Sequence, residues 1–283
     1  MTSRKRWIKS NRDWWDERAA GHANSDFYDL EAFRRGRDML RPFERDELGV
    51  EPSGLSLLHL QCHIGTDTLS WARRGARVVG LDFSAPAIDT ARTLATEIGL
   101  ADHSEFVVSD VYDGPSALDG RTFDIVYTGI GALTWLPDIE QWARVASSLV
   151  KPGGVLYVVE IHPFVWPFAD TDEPELEYSY FDDIESTDAF GSYTDRELDT
   201  KHNHVFEHNW AIGPVVTAVV NAGLSVELVG EHAIGIQQRW PFMVQDDNGF
   251  WVMPSDRPPI PQMWSLRARR TPDRLRTPGQ PRP

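Results

Sequence analysis

An apolar run, Leu57-Leu58-His59-Leu60, leads into the turn Gln61-Cys62-His63-Ile64-Gly65 and on to Thr66-Asp67-Thr68, which has the look of a helix start. A second apolar run, Arg77-Val78-Val79-Gly80-Leu81, ends in Asp82, seventeen residues after Gly65. A tight turn at the carboxyl end of a strand can hold the polar middle of a nucleotide-like molecule. An acid ending the next strand can accept hydrogen bonds from ribose hydroxyls. Further on, Glu160 and His162 stand two apart at the end of another apolar run, so period-two geometry points both to one side. At the carboxyl edge of a parallel sheet that pair is a candidate general base or substrate anchor. The alternative is that Glu160 only orients His162 or caps a loop. His202, His204 and His208 are spaced like metal ligands, with Asp199 and Glu207 nearby. Histidines in an acidic loop are expected to be solvated, and no metal is expected here.

The elements that must position these residues follow from the apolar pattern. Strands are expected at Ser56 to Leu60, Arg77 to Asp82, Ser104 to Val108, Phe123 to Tyr127 and Val155 to Ile161. Helices are expected between them: from Thr66 or Asp67 to Arg74, from Pro86 to Ile98 behind a Ser84 cap, and from Ile139 to Leu149. Lys151-Pro152-Gly153-Gly154 reads as a tight turn. Near-continuous apolar strands alternating with helices imply a parallel sheet covered on both faces. Before this core, Trp14 to Ala20 and Leu30 to Leu40 carry helical patterning. After it, residues 163 to about 207 lose periodicity and become acidic and aromatic, the mark of a lid, a functional loop or disorder. Helix Ile212 to Ala222, strand Ser225 to Val229, a hairpin-like excursion over 238–253 and a last strand from Gln262 to Arg269 complete the pattern.

The ordered set of a strand–turn–helix, acids ending the second and third strands, Phe123-Asp124-Ile125-Val126 on the fourth, and Lys151-Pro152-Gly153-Gly154 before the fifth resembles class I methyltransferases that use S-adenosylmethionine (SAM). The resemblance covers about residues 55 to 161. The turn Leu60-Gln61-Cys62-His63 and Glu160-Ile161-His162-Pro163 look like a small-molecule branch of natural-product pathways, similar to indole C3-methyltransferases of the physostigmine type. It implies SAM as cofactor and S-adenosylhomocysteine (SAH) as product. It places Gln61, Cys62, His63 and Gly65 along the methionine moiety and Asp82 at the ribose, with Phe83 also among the cofactor-binding residues. It places Asp110 and the Val111 amide at the adenine edge, and Thr128 at the transferred methyl. Trp15 and Tyr28 would close the cofactor from the N-terminal side. The chain departs from the family's Gly-x-Gly-x-Gly turn by having Gln61-x-His63-x-Gly65, so His63 is a candidate direct ligand.

This reading gives an α/β class: a Rossmann-like, seven-stranded, mostly parallel sheet with a C-terminal antiparallel hairpin, an N-terminal helical cap and an insertion after strand five. The expected division is 1–54 cap, 55–162 SAM-binding core, 163–210 substrate-covering insertion, 211–270 the rest of the core and 271–283 a flexible tail. Trp166, Tyr178, Tyr180 and Trp240 lie in segments expected to cover a substrate, and an aromatic cavity suits a flat acceptor. The expected reaction moves a methyl group to a small aromatic metabolite, indole- or phenol-like, with indole C-methylation favoured. The alternatives are N- or O-methylation of another small molecule, or a SAM-binding regulator without transferase activity. An NAD(P) oxidoreductase is disfavoured because Gly-x-Gly-x-x-Gly is absent. The formal net charge of −15 over 283 residues opposes nucleic acid as a partner. Thr128-Gly129-Ile130-Gly131 also stands where base amino-methylating enzymes carry their Pro-Pro motif. Cys62 is the single cysteine, which excludes an intrachain disulfide. No run of eighteen apolar residues and no apolar leader core is present, so a cytoplasmic protein without a membrane partner is expected.

Overall fold

The computed structural model describes residues 3–169, 171–181 and 184–272. Most of the expected tail therefore lies outside the described residues. The chain opens with three helices, α1 (Ser3–Ala23), α2 (Leu30–Arg34) and α3 (Pro42–Leu48). It continues with β1 (Ser56–Leu60), α4 (Thr66–Arg73), β2 (Arg77–Asp82), α5 (Ala85–Glu97), β3 (Ser104–Val108), the single turn α6 (Gly114–Ala117) and β4 (Phe123–Thr128). Then come α7 (Ile139–Leu149), β5 (Val150–Ile161), β6 (Ile184–Asp188), β7 (His204–His208), α8 (Ile212–Asn221) and β8 (Leu224–His232). The short pair β9 (Val244–Gln245) and β10 (Trp251–Val252) and the last strand β11 (Met263–Arg270) close the order.

Seven strands form one sheet in the order β3-β2-β1-β4-β5-β11-β8. The first five are parallel, and β11 runs antiparallel to both β5 and β8. This is the Rossmann-like sheet with a C-terminal antiparallel hairpin that the family resemblance implies. Its two faces are buried as apolar runs must be. One face packs around Trp142 and Ala146 of α7 and Val219 of α8. The other packs around Trp71 of α4, and around Ile88 and Leu94 of α5. The helix starts obey local chemistry, with Ser84 accepting from the Ala87 N–H and Asp138 from the Gln141 N–H.

Two local expectations differ from the structure. Lys151 to Gly154 is not a turn ahead of β5 but an irregularity inside it: Phe123 pairs with Val150 and Ile125 with Val155, so β5 carries extra residues there. A side chain at 154 would meet the Asp124 carbonyl oxygen at 2.7 Å, which is why glycine stands at that point. The patterning over Leu30 to Leu40 supports only five helical residues, and the chain then breaks before α3.

The carboxyl ends of β1, β2, β4 and β5 align along one edge, putting Gln61, Asp82, Gly129 and Ile161 there. Helix α1 lies across this edge and packs on both α5 and β7. The antiparallel pair β6–β7 supplies the other side of the cover. Asn11 of α1 brackets Phe206 of β7, donating to its carbonyl at 2.8 Å and accepting from its N–H at 2.9 Å. Among the described residues no helix is long and apolar enough to cross a membrane.

Candidate active site

The turn after β1 is built on two residues in the left-handed region, Gln61 at φ 58° and His63 at φ 50°. Each costs on the order of 1 kcal/mol for a side-chain-bearing residue, so other contacts must hold them. The Gln61 amide donates to the Ala132 carbonyl at 2.8 Å, and the His63 N–H donates to the Asp82 carboxylate at 2.8 Å. Gly65, at φ 78°, closes the turn; a Cβ there would lie 2.8 Å from Ala91 and 2.9 Å from Phe106. The chain thus keeps the glycine where the turn presses on α5 and β3, and places side chains at the two positions that face the sheet edge.

Asp82 is buried, and its second oxygen accepts from the Ser84 N–H at 2.8 Å. Burial pushes its carboxyl up to about 6, backbone donors oppose this, and the charge of Asp16 on α1 adds to it. The backbone N–H groups of His63, Phe83 and Ser84 use three of its roughly four lone-pair sites, which leaves acceptor capacity for a ligand.

Above this floor lies a cavity of about 630 Å³, within the range of about 300–1,000 Å³ for small-molecule sites. Trp15, Tyr28, Gln61, His63, Asp82 and Phe83 line one part of it, and Trp166 and Tyr178 line the rest with Phe168 and Asn209. Trp15 sets its ring edge-on to His63 at 5.0 Å and to Trp135 at 5.3 Å. Tyr28 and Tyr193 meet through their hydroxyls, joining the loop after α1 to the insertion. His22 bridges the same parts: its Nδ1 is 3.0 Å from His63 Nε2, and its Nε2 is 2.7 Å from Ser192 Oγ. Burial, aided by Arg18, holds His22 down to about 4, and burial holds His63 well below the usual imidazole range, so both rings are neutral near pH 7.

Other residues singled out from the sequence stand elsewhere. Cys62 points away from the cavity into the packing beside Gly80, and burial pushes its thiol well up, so it is not poised as a nucleophile. Gly65 lies behind the turn. Asp110 accepts from the Tyr112 N–H, Val111 packs in the core, and Thr128 is fully buried in β4; none of the three lines the cavity. Tyr180 contributes no cavity wall. Trp240 is 0% exposed and sits edge-on to Phe168 at 5.5 Å, so it props a wall residue.

Glu160 and His162 also lie outside the cavity lining, while Ile161 between them faces in. The Glu160 carboxylate accepts the N–H groups of Gly131, Ala132, Leu133 and Ile161. Burial pushes this carboxyl up, and those four donors pull the other way. His162 is held by Glu231 at 3.0 Å and accepts from the Phe164 N–H at 3.1 Å. Sequence reasoning missed His22, Trp135, Tyr193 and Asn209. A faint signal existed for the first, since Trp15, Arg18 and His22 share one face of α1 at i, i+3, i+7.

Residues 58–156 match a family model described as a methyltransferase domain. The chain is 30% identical over 158 residues to a ubiquinone biosynthesis O-methyltransferase of Methylobacterium sp. (strain 4-46). That match covers 55% of this chain and 61% of the relative, so the chain spans less than two thirds of that relative's length. A SAM-dependent methyltransferase from Mesorhizobium loti superposes with a TM-score of 0.53 at 20% identity, over 84% of this chain and all of that one. The geranyl diphosphate C-methyltransferase from Streptomyces coelicolor A3(2), solved with SAH, superposes with a TM-score of 0.52 at 16% identity, over 81% of this chain and 77% of its own. Residues 58–156 are thus similar to a methyltransferase domain, and the chain has the fold of SAM-dependent methyltransferases of known structure.

Proposed function

We propose that this chain is an enzyme that binds SAM in the cavity above β1 and β2 and transfers its methyl group to a small, flat acceptor. The observation that carries the reading is the Asp82 carboxylate, buried at the cavity floor, tied to the His63 N–H and keeping acceptor capacity toward the space above. The residues present fit such a cofactor. The buried atoms Gln61 Oε1 and His63 Nδ1 have no hydrogen-bond partner, as expected where a polar ligand completes them. Bound SAM supplies a methyl already activated by a positive sulfur.

The protein's part is then chiefly positioning. Asp82 accepts from the ribose hydroxyls, and Trp15, Tyr28 and Phe83 wall the molecule with aromatic surface. Faces of Trp and Tyr stabilise a nearby cation by about 0.5–2 kcal/mol. Helix α1 and the insertion shut out water, and holding two reactants in line can supply much of the barrier reduction. Glu160 acts as a positioning residue: it gathers the 131–133 amides, and Ala132 in turn anchors Gln61.

The acceptor is a small aromatic molecule, because Trp135, Trp166, Phe168, Tyr178 and Phe190 also line the cavity. The curated relative is by name an O-methyltransferase and a structural neighbour a C-methyltransferase, so a phenol oxygen and an indole carbon are both acceptor atoms to assay. Calorimetric titration with SAM, SAH and NAD tests the cofactor. Micromolar binding of SAM and SAH without NAD is expected; absence of SAM and SAH binding overturns the reading.

A further inference from the structure

We infer that the acceptor end of the cavity reads a hydrogen-bond donor through Asn209, and that the acceptor is an aromatic molecule bearing an amine. The inference rests on the methyltransferase reading above and names its substrate class.

The cavity runs along the carboxyl edge of the sheet. Asp82 ends β2 and Ile161 ends β5, three strands apart in the order β2-β1-β4-β5. Strands lie about 4.8 Å apart, so these ends are roughly 14 Å from each other. The cofactor residues occupy the β2 end. Asn209 stands at the other end, where its amide nitrogen points to the carbonyl oxygens of Pro163, at 3.4 Å, and of Tyr180, at 3.5 Å.

Those two carbonyls fix the amide orientation. Turned over, the side chain would set its own oxygen against two other oxygens, with no proton between them. The nitrogen must face the carbonyls, so Oδ1 faces the other way. That oxygen is buried and has no hydrogen-bond partner. An unmet buried acceptor costs about 1–3 kcal/mol, which a ligand N–H or O–H recovers.

Charge selects between the donors. Glu207 sits two residues before Asn209, and both line the cavity, as period-two geometry requires. His208, between them, turns away and stacks on Trp210 at 3.5 Å. Glu207 brings an acidic side chain to the same cavity lining as Asn209, which favours an ammonium over a hydroxyl and disfavours an anion. Among the described residues that line the cavity, Arg239 is the one arginine or lysine, and its guanidinium donates to the Phe168 and Ala169 carbonyls. The aromatic wall around Trp166 and Phe168 takes the flat body, while the Asn209–Glu207 wall takes the amine.

The test is calorimetric titration of the full chain, with and without saturating SAH, using three probes that share an indole body: tryptamine, tryptophol and indole-3-propionate. Tryptamine is expected to bind at least tenfold more tightly than the carboxylate, with the alcohol between them. Asn209→Ala is expected to weaken tryptamine about tenfold while SAH affinity stays within twofold, and Glu207→Gln to narrow the gap between amine and alcohol. The wild-type ratio alone decides the matter if a variant folds poorly. Binding of the carboxylate as tightly as the amine, or of none of the probes, overturns the inference while SAH binding leaves the methyltransferase reading standing. Loss of SAH binding in the wild type overturns both.

Discussion

His22 Nδ1 and His63 Nε2 stand 3.0 Å apart, joining the N-terminal helix to the turn after β1. With His22 Nε2 on Ser192, a chain of hydrogen bonds passes from the insertion through α1 to the turn beside Asp82. Because both rings are held neutral, each carries one proton, and the pair has a donor and an acceptor to share. His22 thereby fixes the ring angle of a residue whose backbone is already strained.

His22→Ala is expected to leave His63 Nε2 without a partner and to weaken SAH binding about tenfold, or about 1.4 kcal/mol. His22→Asn, which keeps a polar atom near the place of Nδ1, should recover most of the loss. Calorimetry on both variants checks this. Equal weakening by Ala and Asn would assign His22 a packing role only.

Asp82 makes cofactor binding depend on pH in a definite direction. Its carboxyl is raised to about 6 in the ligand-free protein, chiefly by burial, with Asp16 facing it from α1 and the His63, Phe83 and Ser84 N–H groups opposing. Accepting from two hydroxyls requires the ionised form. SAH affinity should therefore be flat above pH 6 and fall about tenfold per unit below it. Asp82→Asn should bind weakly at every pH, without that break. A wild-type affinity unchanged between pH 7 and pH 5 would remove Asp82 from ligand contact.

The inner strands of the sheet were legible because a strand buried on both faces must be apolar, as β1, β2, β4 and most of β5 are, and such runs separated by helical stretches leave one class of fold. The acid ending β2 was legible for the same reason: Asp82 is a charge where the apolar run stops. Asn209 and Tyr193 carried no signal, since their meaning comes only from approach across the fold, Tyr193 lying 165 residues from its partner Tyr28. Glu160 shows where the sequence leaves two readings open. Its place at a strand end is what an active-site acid shares with a carboxylate that organises a loop, and only the four N–H groups pointing at it separate the two.

Glu160 can be tested against the general-base reading directly. Glu160→Gln keeps the shape but turns an NH₂ group toward backbone N–H donors, leaving at least one of them unmet. A loss of stability of about 2–3 kcal/mol in denaturant unfolding is expected, together with weaker SAH binding, because Ala132 anchors Gln61. His162→Ala, which removes one acceptor and one contact to the exposed Glu231, should cost about 1 kcal/mol and leave SAH affinity unchanged. If Glu160→Gln matches the wild type in both stability and SAH affinity, the positioning role fails.

The cover of the cavity should move as one piece, and Arg18 is the reason. Its guanidinium is 0% exposed and donates to the carbonyls of Ala189, Gly191 and His202 and to Asn203 Oδ1, all in the insertion, and also to the Trp14 carbonyl on its own helix. Burial lowers it to about 10, so it stays charged at neutral pH, with Glu17 3.7 Å away. Glu17 meanwhile accepts the Lys201 and His202 N–H groups. Opening α1 away from the insertion would strand the insertion's acceptors and the Glu17 carboxylate, so the two segments open together. Arg18→Met fills the space but supplies no donor, and each buried oxygen left unmet costs about 1–3 kcal/mol. Hydrogen exchange on this variant should show faster exchange in α1 and in 189–206 alike, with the β1–β5 strands unchanged. Faster exchange in only one of the two segments would mean that the cover is two independent flaps.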